Sequence, residues 1–237
     1  MIFGDAGLDL GVLTKRTRMI MHRQRRRFLR SRKRFDIIPA GRRSGKTEEA
    51  RHRLTWGSQH IGGIHHGCMT PPPGIANPTF AYCAPTHQQA KRIVWDLFLA
   101  EIPKWAIRRV LQGEEMSITF ITGAKLYVVG MDKPQRLEGI PLDGVVLDEY
   151  ADMKPGAWKS SIRPALSTKG RPPGWAMFIG RPRGKNHFWT LCQDALKADH
   201  VEDWGLYYPW PSWVIVDPKE VEAARRDLDE RSFRQEY

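Results

Sequence analysis

A glycine-rich segment near the start of the chain has the residue types that bind a nucleoside triphosphate. It follows an apolar run and precedes a stretch with helical character. Its residues are Ala40-Gly41-Arg42-Arg43-Ser44-Gly45-Lys46-Thr47. Backbone N–H groups of such a loop, together with the positive end of the helix behind it, can surround phosphates. Lys46 would reach the β- and γ-phosphates, and the Thr47 hydroxyl would bind Mg²⁺. The usual pattern begins with glycine, so Ala40 makes this segment a variant.

A pair of acids completes the chemistry that the loop begins. Asp148 and Glu149 follow the apolar run Val145-Val146-Leu147, about a hundred residues after Lys46. A parallel sheet can bring the end of that strand beside the phosphate loop. Asp148 would then hold Mg²⁺, and Glu149 would act as the general base on the attacking water. The two motifs together predict a nucleotide hydrolase that uses Mg²⁺.

Hydrolysis also needs a positive charge beside the phosphoryl group as it is transferred, and an arginine finger can supply this charge. Arg42 and Arg43 lie inside the loop and could act within the same subunit. Arg136, shortly before Asp148, could act in the same subunit or across a subunit boundary. For each of the three, a structural ion pair is an equal alternative.

The elements that must position these residues alternate along the chain. Short apolar runs predict strands at 35–39, 79–84, 145–147 and 176–179, and 117–121 with 125–129 reads as a hairpin. Helices are predicted at 46–56, 86–98, 155–165, 186–197 and 219–230. This alternation predicts an α/β fold with a mainly parallel central sheet flanked by helices.

Composition limits the class of protein. The chain has 237 residues, a net charge of +12 and 41% hydrophobic residues, which excludes a disordered chain and allows one α/β domain with appendages. No apolar run is long enough to cross a bilayer, and three cysteines make no disulfide framework. We therefore expect an intracellular protein without a membrane partner.

Nearly all of the net charge belongs to one segment. Eleven basic residues lie between Lys15 and Arg34, with no acid between Asp9 and Asp36. Such a run attracts a polyanion such as a nucleic-acid backbone. A solvated helix face is an equally good interpretation, and the segment could also face another protein.

The order of the motifs resembles the ATPase domain of the large terminase subunit, the DNA-packaging motor of tailed double-stranded DNA bacteriophages. The matching stretches span residues 24 to about 200. They are Ala40–Thr47, Ala84-Pro85-Thr86-His87-Gln88-Gln89-Ala90-Lys91, Arg136-Leu137-Glu138-Gly139, Leu147-Asp148-Glu149, Ile162-Arg163-Pro164-Ala165-Leu166-Ser167 and Ile179-Gly180-Arg181-Pro182-Arg183-Gly184-Lys185-Asn186-His187-Phe188-Trp189.

The resemblance implies a RecA-like core of the catalytic-glutamate class, with a small C-terminal lid. It makes Gln24 the reader of the adenine edge, so that ATP would be the preferred nucleotide. It makes Arg42 a sensor or finger, and Arg136 the finger that some members give to a neighbour. Gly180-Arg181-Pro182 resembles the coupling motif that links hydrolysis to DNA movement. Family members usually carry a small polar residue where Arg181 stands.

The resemblance also implies partners and a division of the chain. We expect double-stranded DNA, a portal protein and procapsid, a small terminase subunit, and a homo-oligomeric ring in the cytoplasm of an infected bacterium. Residues 1–34 would form an extension and basic helix, 35–200 the ATPase core and 201–237 a lid or linker. We find no room for the family's nuclease domain and expect no nuclease activity from these residues.

Two other functions fit parts of the pattern. A helicase-like or repair ATPase would use the same motifs, although a second set of motifs does not follow Asn186. A basic DNA-binding module could retain a vestigial nucleotide site, although four intact site residues argue against it. ATP turnover separates the motor and helicase hypotheses from the binding module.

Overall fold

The computed structural model describes residues 22–57, 65–197 and 199–236. The extension predicted before residue 22 therefore lies outside the described residues. The strands are β1 (Phe35–Pro39), β2 (Thr79–Ala84), β3 (Ile107–Gln112), β4 (Met116–Phe120), β5 (Lys125–Gly130), β6 (Gly144–Leu147), β7 (Trp175–Gly180) and β8 (Trp204–Leu206). The α-helices are α1 (Arg23–Leu29), α2 (Lys46–Trp56), α3 (His87–Ala90), α4 (Asp96–Glu101), α5 (Arg163–Ala165), α6 (His187–Asp194), α7 (Pro218–Asp227) and α8 (Glu230–Glu236).

Shorter helical segments connect several of these elements. The π-helical segment Lys91–Trp95 joins α3 to α4, and a second one, Ala157–Ile162, leads into α5. Turns of 3₁₀-helix occupy Lys104–Ala106, Pro134–Leu137 and Tyr150–Asp152. The predicted helices at 86–98 and 155–165 thus form, each with a wider turn inside it.

The eight strands make one sheet in the order β3-β4-β5-β2-β6-β7-β1-β8. Neighbours from β5 to β8 pair in parallel, whereas β4 is antiparallel to both β3 and β5. The predicted hairpin corresponds to β4 and β5, and together with β3, which was not predicted, it makes the antiparallel part of the sheet. Only β7 separates β1 from β6, so the strands that precede the phosphate loop and the acid pair end close together at one edge.

Helices cover both faces of the sheet, which explains why its central strands are continuous apolar runs. One core contains Tyr82, Val146 and Ile38 with Leu54 of α2. The other contains Leu147 and residues such as Phe35, Phe178, Trp158 and Phe188. All residues of β1, β2, β6 and β7 are buried.

The range that the sequence assigns to a lid contributes one strand to this sheet. Residues Trp204–Leu206 pair in parallel with β1, and Phe35 lies opposite Trp204. After this strand, Tyr207 and Trp210 are buried in the core, and Trp210 forms a parallel β-bridge with Ala40. Among the described residues, no helix combines the length and apolar character needed to cross a membrane.

A buried polar cluster anchors β1 beneath the phosphate loop. Asp36 is fully buried and accepts hydrogen bonds of 2.8 Å from both the Ser31 hydroxyl and the Tyr207 phenol. It also forms a close ion pair with Arg53 of α2, and Arg53 is only 3% exposed. The cluster ties α1, α2 and the segment after β8 to one strand.

Removing the charge of Asp36 is expected to destabilise the fold. Asp36→Asn leaves the guanidinium of Arg53 buried without its counter-ion, which costs about 3–5 kcal/mol. Urea unfolding followed by circular dichroism measures this loss. The matched control is Glu115→Gln, which breaks the exposed Lys125–Glu115 pair and should cost less than about 1 kcal/mol. Equal free energies of unfolding for the two variants would contradict the role of Asp36 as the stabilising counter-ion of Arg53.

Candidate functional site

The phosphate loop lies where the sequence predicts it, between the end of β1 and the start of α2. Two of its residues have left-handed backbone conformations, Arg43 with φ of 56° and Gly45 with φ of 75°. The Ser44 hydroxyl donates to the Gly41 carbonyl over 2.9 Å and helps to close the loop. A Cβ on Gly41 would lie 2.2 Å from the carbonyl oxygen of Glu236, so this position accepts only glycine without a shift of the backbone.

Lys46 connects the loop to the acid pair. Its Nζ is 3.1 Å from the Gly41 carbonyl oxygen and 3.5 Å from Glu149 Oε1. The residue is only 6% exposed. The ammonium group therefore lies between the loop that would hold phosphates and the carboxylate that would activate water.

Thr47 and Asp148 meet although 101 positions separate them in the chain. The Thr47 hydroxyl donates to Asp148 Oδ2 over 3.3 Å. Asp148 is 1% exposed, and its burial raises the pKa of this carboxyl. Hydroxyl and carboxylate oxygens are the ligands that Mg²⁺ prefers. These two side chains therefore fit a magnesium ion.

Glu149 has an unusual backbone at the end of β6. Its φ of 51° and ψ of 46° are left-handed, a conformation that costs energy for a residue with a side chain. Gly180 at the end of β7 allows close approach, because a Cβ there would lie 3.2 Å from the Glu149 Cα. The turn directs the carboxylate toward Lys46 and Arg181.

Arg181 lies against the same carboxylate. Its Nε is 3.7 Å from Glu149 Oε2, and its backbone N–H donates to that oxygen over 3.4 Å. A terminal guanidinium nitrogen also donates to Glu236 Oε1. Burial alone would lower the pKa of Arg181, but its hydrogen bond to Glu236 contributes to a net increase. The arginine that departs from the family pattern thus bridges two acids.

Glu236 at the end of α8 is a site residue that the sequence reasoning missed. Its Oε2 is 3.1 Å from Arg42 Nε, and its carbonyl accepts the Arg42 backbone N–H over 2.9 Å. Trp210, on the segment after β8, donates its indole N–H to the Ser44 carbonyl over 2.8 Å. The C-terminal segment therefore closes over the phosphate loop. No local motif signals this contact.

Gln24 lies beside that same segment. Its side-chain amide donates to the Tyr208 carbonyl over 2.9 Å and accepts from Arg27 over 2.9 Å. Two residues earlier, the His22 ring contacts the Trp210 ring edge-on at 4.7 Å between centroids. The beginning of α1 is thereby placed near the phosphate loop.

The other predicted arginines and the basic segment occupy varied positions. Arg43 is exposed on the loop, and Arg136 is exposed on its 3₁₀ turn, 3.5 Å from the Nδ1 of His87. Within α1, Arg25 forms a buried ion pair with Glu49 of α2. Arg34 donates to two backbone carbonyls over 2.9 Å each. Part of the basic segment therefore has a structural role.

The chain is similar to large terminase proteins both in sequence and in fold. The "Terminase, large subunit" of Thermus phage G20c is 41% identical over 120 residues, a match that covers 45% of this chain and 24% of that relative. The matched part is thus about a quarter of the relative's length. No family model matches the chain.

Solved structures match almost the whole chain. The large terminase ATPase domain of Thermus phage P74-26 has a TM-score of 0.66 at 21% identity, covering 95% of this chain and 96% of that one. The large terminase of another thermophilic bacteriophage, in complex with ADP, has a TM-score of 0.57 at 18% identity, covering 86% of this chain and 47% of that one. The predicted RecA-like α/β fold is therefore confirmed.

Proposed function

Because the chain is a relative of the large terminase subunits and has the fold of their ATPase domains, we propose that it is an ATP-hydrolysing motor domain for packaging phage DNA. The observation that carries the proposal is one cluster at the carboxyl edge of the sheet. In it, Lys46 pairs with Glu149 at 3.5 Å and Thr47 with Asp148 at 3.3 Å. Lysine, threonine and aspartate bind phosphate and Mg²⁺ in P-loop nucleotide hydrolases, and a glutamate can serve as the general base.

In this proposal the loop holds the phosphates and the acids act on water and metal. Backbone N–H groups of Gly41–Thr47 and the Lys46 ammonium bind the β- and γ-phosphates. Thr47 and Asp148 hold Mg²⁺, which when bound neutralises charge on the phosphates. Glu149 accepts the proton of the attacking water.

The existing ion pairs give this site a way to respond to nucleotide. Lys46 and Arg42 each contact a carboxylate, Glu149 and Glu236 respectively. Bound phosphates compete for both cations and so weaken those pairs. Lys46 then moves from Glu149 toward the phosphates, while Arg181 still contacts that carboxylate, and the contact between α8 and the loop loosens.

Two arginines suit the role of finger in different ways. Arg42 lies in the loop and would act within its own subunit. Arg136 is exposed at the carboxyl edge of the sheet, where a neighbouring subunit could present its own nucleotide. We assign Arg42 to the subunit's own site and Arg136 to a neighbour's site in a ring. Gly180, Arg181 and Pro182 would couple the site to the C-terminal segment, through the contact between Arg181 and Glu236.

Replacing Glu236 tests the competition between nucleotide and the ion pairs of the loop. Glu236→Gln removes a charge from Arg42 and Arg181 while it keeps the size of the side chain. We expect ADP to bind about two- to five-fold more tightly, the worth of one partly exposed ion pair. Fluorescence titration with a labelled ADP measures the Kd. Glu222→Gln on exposed α7 is the control, and unchanged or weaker binding by the Glu236 variant would refute the competition.

The remaining parts of the proposal concern partners. A motor of this class acts on double-stranded DNA, on a portal and procapsid and with a small terminase subunit, as a ring in the host cytoplasm. Exposed Arg23, Arg26 and Arg27 of α1 are available for phosphate contacts. Contacts of this kind read no sequence and weaken steeply with salt.

The direct test is release of phosphate from ATP with and without Mg²⁺ and double-stranded DNA. We expect turnover that requires Mg²⁺, and DNA retention that falls as salt is raised. DNA retention without turnover, at protein concentrations that permit ring assembly, would instead identify a binding module.

A further inference from the structure

A tyrosine outside every motif touches the magnesium-binding acid. Tyr82 on β2 is fully buried, and its phenol donates a hydrogen bond to Asp148 Oδ2. It lies opposite Val146 in the pairing of β2 with β6, on the face of the sheet that packs against α2. A polar group buried at this depth is stable only with a hydrogen-bond partner, and here that partner is a site residue.

The contacts of Asp148 hold both of its carboxylate oxygens. The backbone N–H of Glu149 donates to Oδ1 over 2.8 Å. Oδ2 accepts from Thr47 over 3.3 Å and from Tyr82. Thr47 reaches Asp148 from the start of α2 and would also hold Mg²⁺, whereas Tyr82 reaches it from the core. Of these two donors, Tyr82 is therefore the one that is not itself a proposed metal ligand.

The surroundings of Tyr82 hold its ring in place. Its ring packs edge-on against Phe98 of α4 at 6.2 Å between centroids, within the core, so it has little freedom to move. A rigid donor behind a metal ligand reduces the freedom that the ligand loses when the metal binds.

We propose that Tyr82 is a positioning residue for Mg²⁺, orienting Asp148 so that the ion binds together with nucleotide. The inference rests on the proposed function, because it concerns the same site. It goes beyond that function because it assigns a role to a core residue that lies outside the phosphate loop. This residue would set the Mg²⁺ concentration that nucleotide binding requires.

Tyr82→Phe tests the proposal, because it removes only the hydroxyl. Two quantities are measured: the Mg²⁺ concentration at half-maximal tightening of labelled ADP binding, and the affinity for ADP without metal. We expect the first to rise about ten-fold, as is typical when a group behind a metal ligand is lost. The second should stay unchanged, and the same shift should appear in the Mg²⁺ dependence of ATP turnover.

The chain offers a matched control in Tyr207. Its phenol also donates to a buried aspartate, Asp36 of β1, over 2.8 Å, and neither residue belongs to the proposed site. Tyr207→Phe should lower the thermal stability and leave the Mg²⁺ dependence of ADP binding at the wild-type value. This comparison separates loss of a buried hydrogen bond from loss of metal positioning.

Two results would overturn this inference alone, and a third would overturn the proposed function with it. An unchanged Mg²⁺ requirement in the folded Tyr82 variant would overturn the inference, and so would equal shifts in both variants. If the wild type hydrolyses ATP and Tyr82→Phe has the same Mg²⁺ requirement, the proposed function stands and only this inference fails. A wild-type chain with no Mg²⁺-dependent nucleotide binding would overturn the proposed function and this inference together.

Discussion

Replacing Glu149 by glutamine is expected to slow ATP turnover by about 10²–10⁴-fold, the usual contribution of a general base. The amide has the same size but cannot accept the proton of water. Lys46 lies 3.5 Å from this side chain and keeps its contact with the loop, so nucleotide should still bind. Steady-state phosphate release and titration with labelled ADP measure the two effects separately.

Glu115→Gln is the matched control for this variant. It removes a carboxylate on the antiparallel part of the sheet, where Glu115 pairs with Lys125 at 2.7 Å. Its turnover should equal that of the wild type. If Glu149→Gln also turns over at the wild-type rate, another group is the base, and the role assigned to Glu149 is wrong.

Replacing Lys46 by alanine is expected to weaken nucleotide binding by about 10- to 150-fold. This range corresponds to about 1.5–3 kcal/mol for a charge-assisted hydrogen bond. The lysine is buried and already directed at the loop by the Gly41 carbonyl at 3.1 Å. Little conformational entropy is therefore lost when it binds phosphate. Titration with labelled ADP in the presence of Mg²⁺ measures the change.

Lys169→Ala, on an exposed turn, controls for the loss of one positive charge. It should bind ADP with the wild-type affinity. Equal affinities of the Lys46 variant and the wild type would mean that the phosphates lie elsewhere, and the assignment of the whole loop would fail with that result.

Local patterns were sufficient for the strands and helices that form the centre of the fold. β1, β2, β6 and β7 are buried on both faces, so each is a largely apolar run that is visible in the sequence, although β1 also contains Asp36. The types and order of Lys46, Thr47, Asp148 and Glu149 likewise indicated their chemistry before any contact was known. Those roles remain predictions that the variants above will test.

The edges of the sheet were harder to predict. β3 includes Arg108 and Arg109, both exposed at the outer edge, so its apolar pattern is broken. β8 has three half-buried residues and too little length for a periodic pattern. An edge strand has one partner and one open side, so its sequence carries less of the apolar signal than a central strand.

The sequence alone therefore predicts a nucleotide-binding loop and an acid pair, and it indicates the α/β order of the elements. The contacts of the site depend on how β1, β7 and β6 lie side by side. Tyr82 meets Asp148 across 66 positions, and Arg181 meets Glu236 across 55. Hydrogen bonds and ion pairs act over a few ångströms in space, and they do not depend on how far apart the two residues are along the chain. A local motif consequently cannot reveal them, and strand adjacency and the return of α8 to the phosphate loop determine which residues surround the proposed catalytic groups.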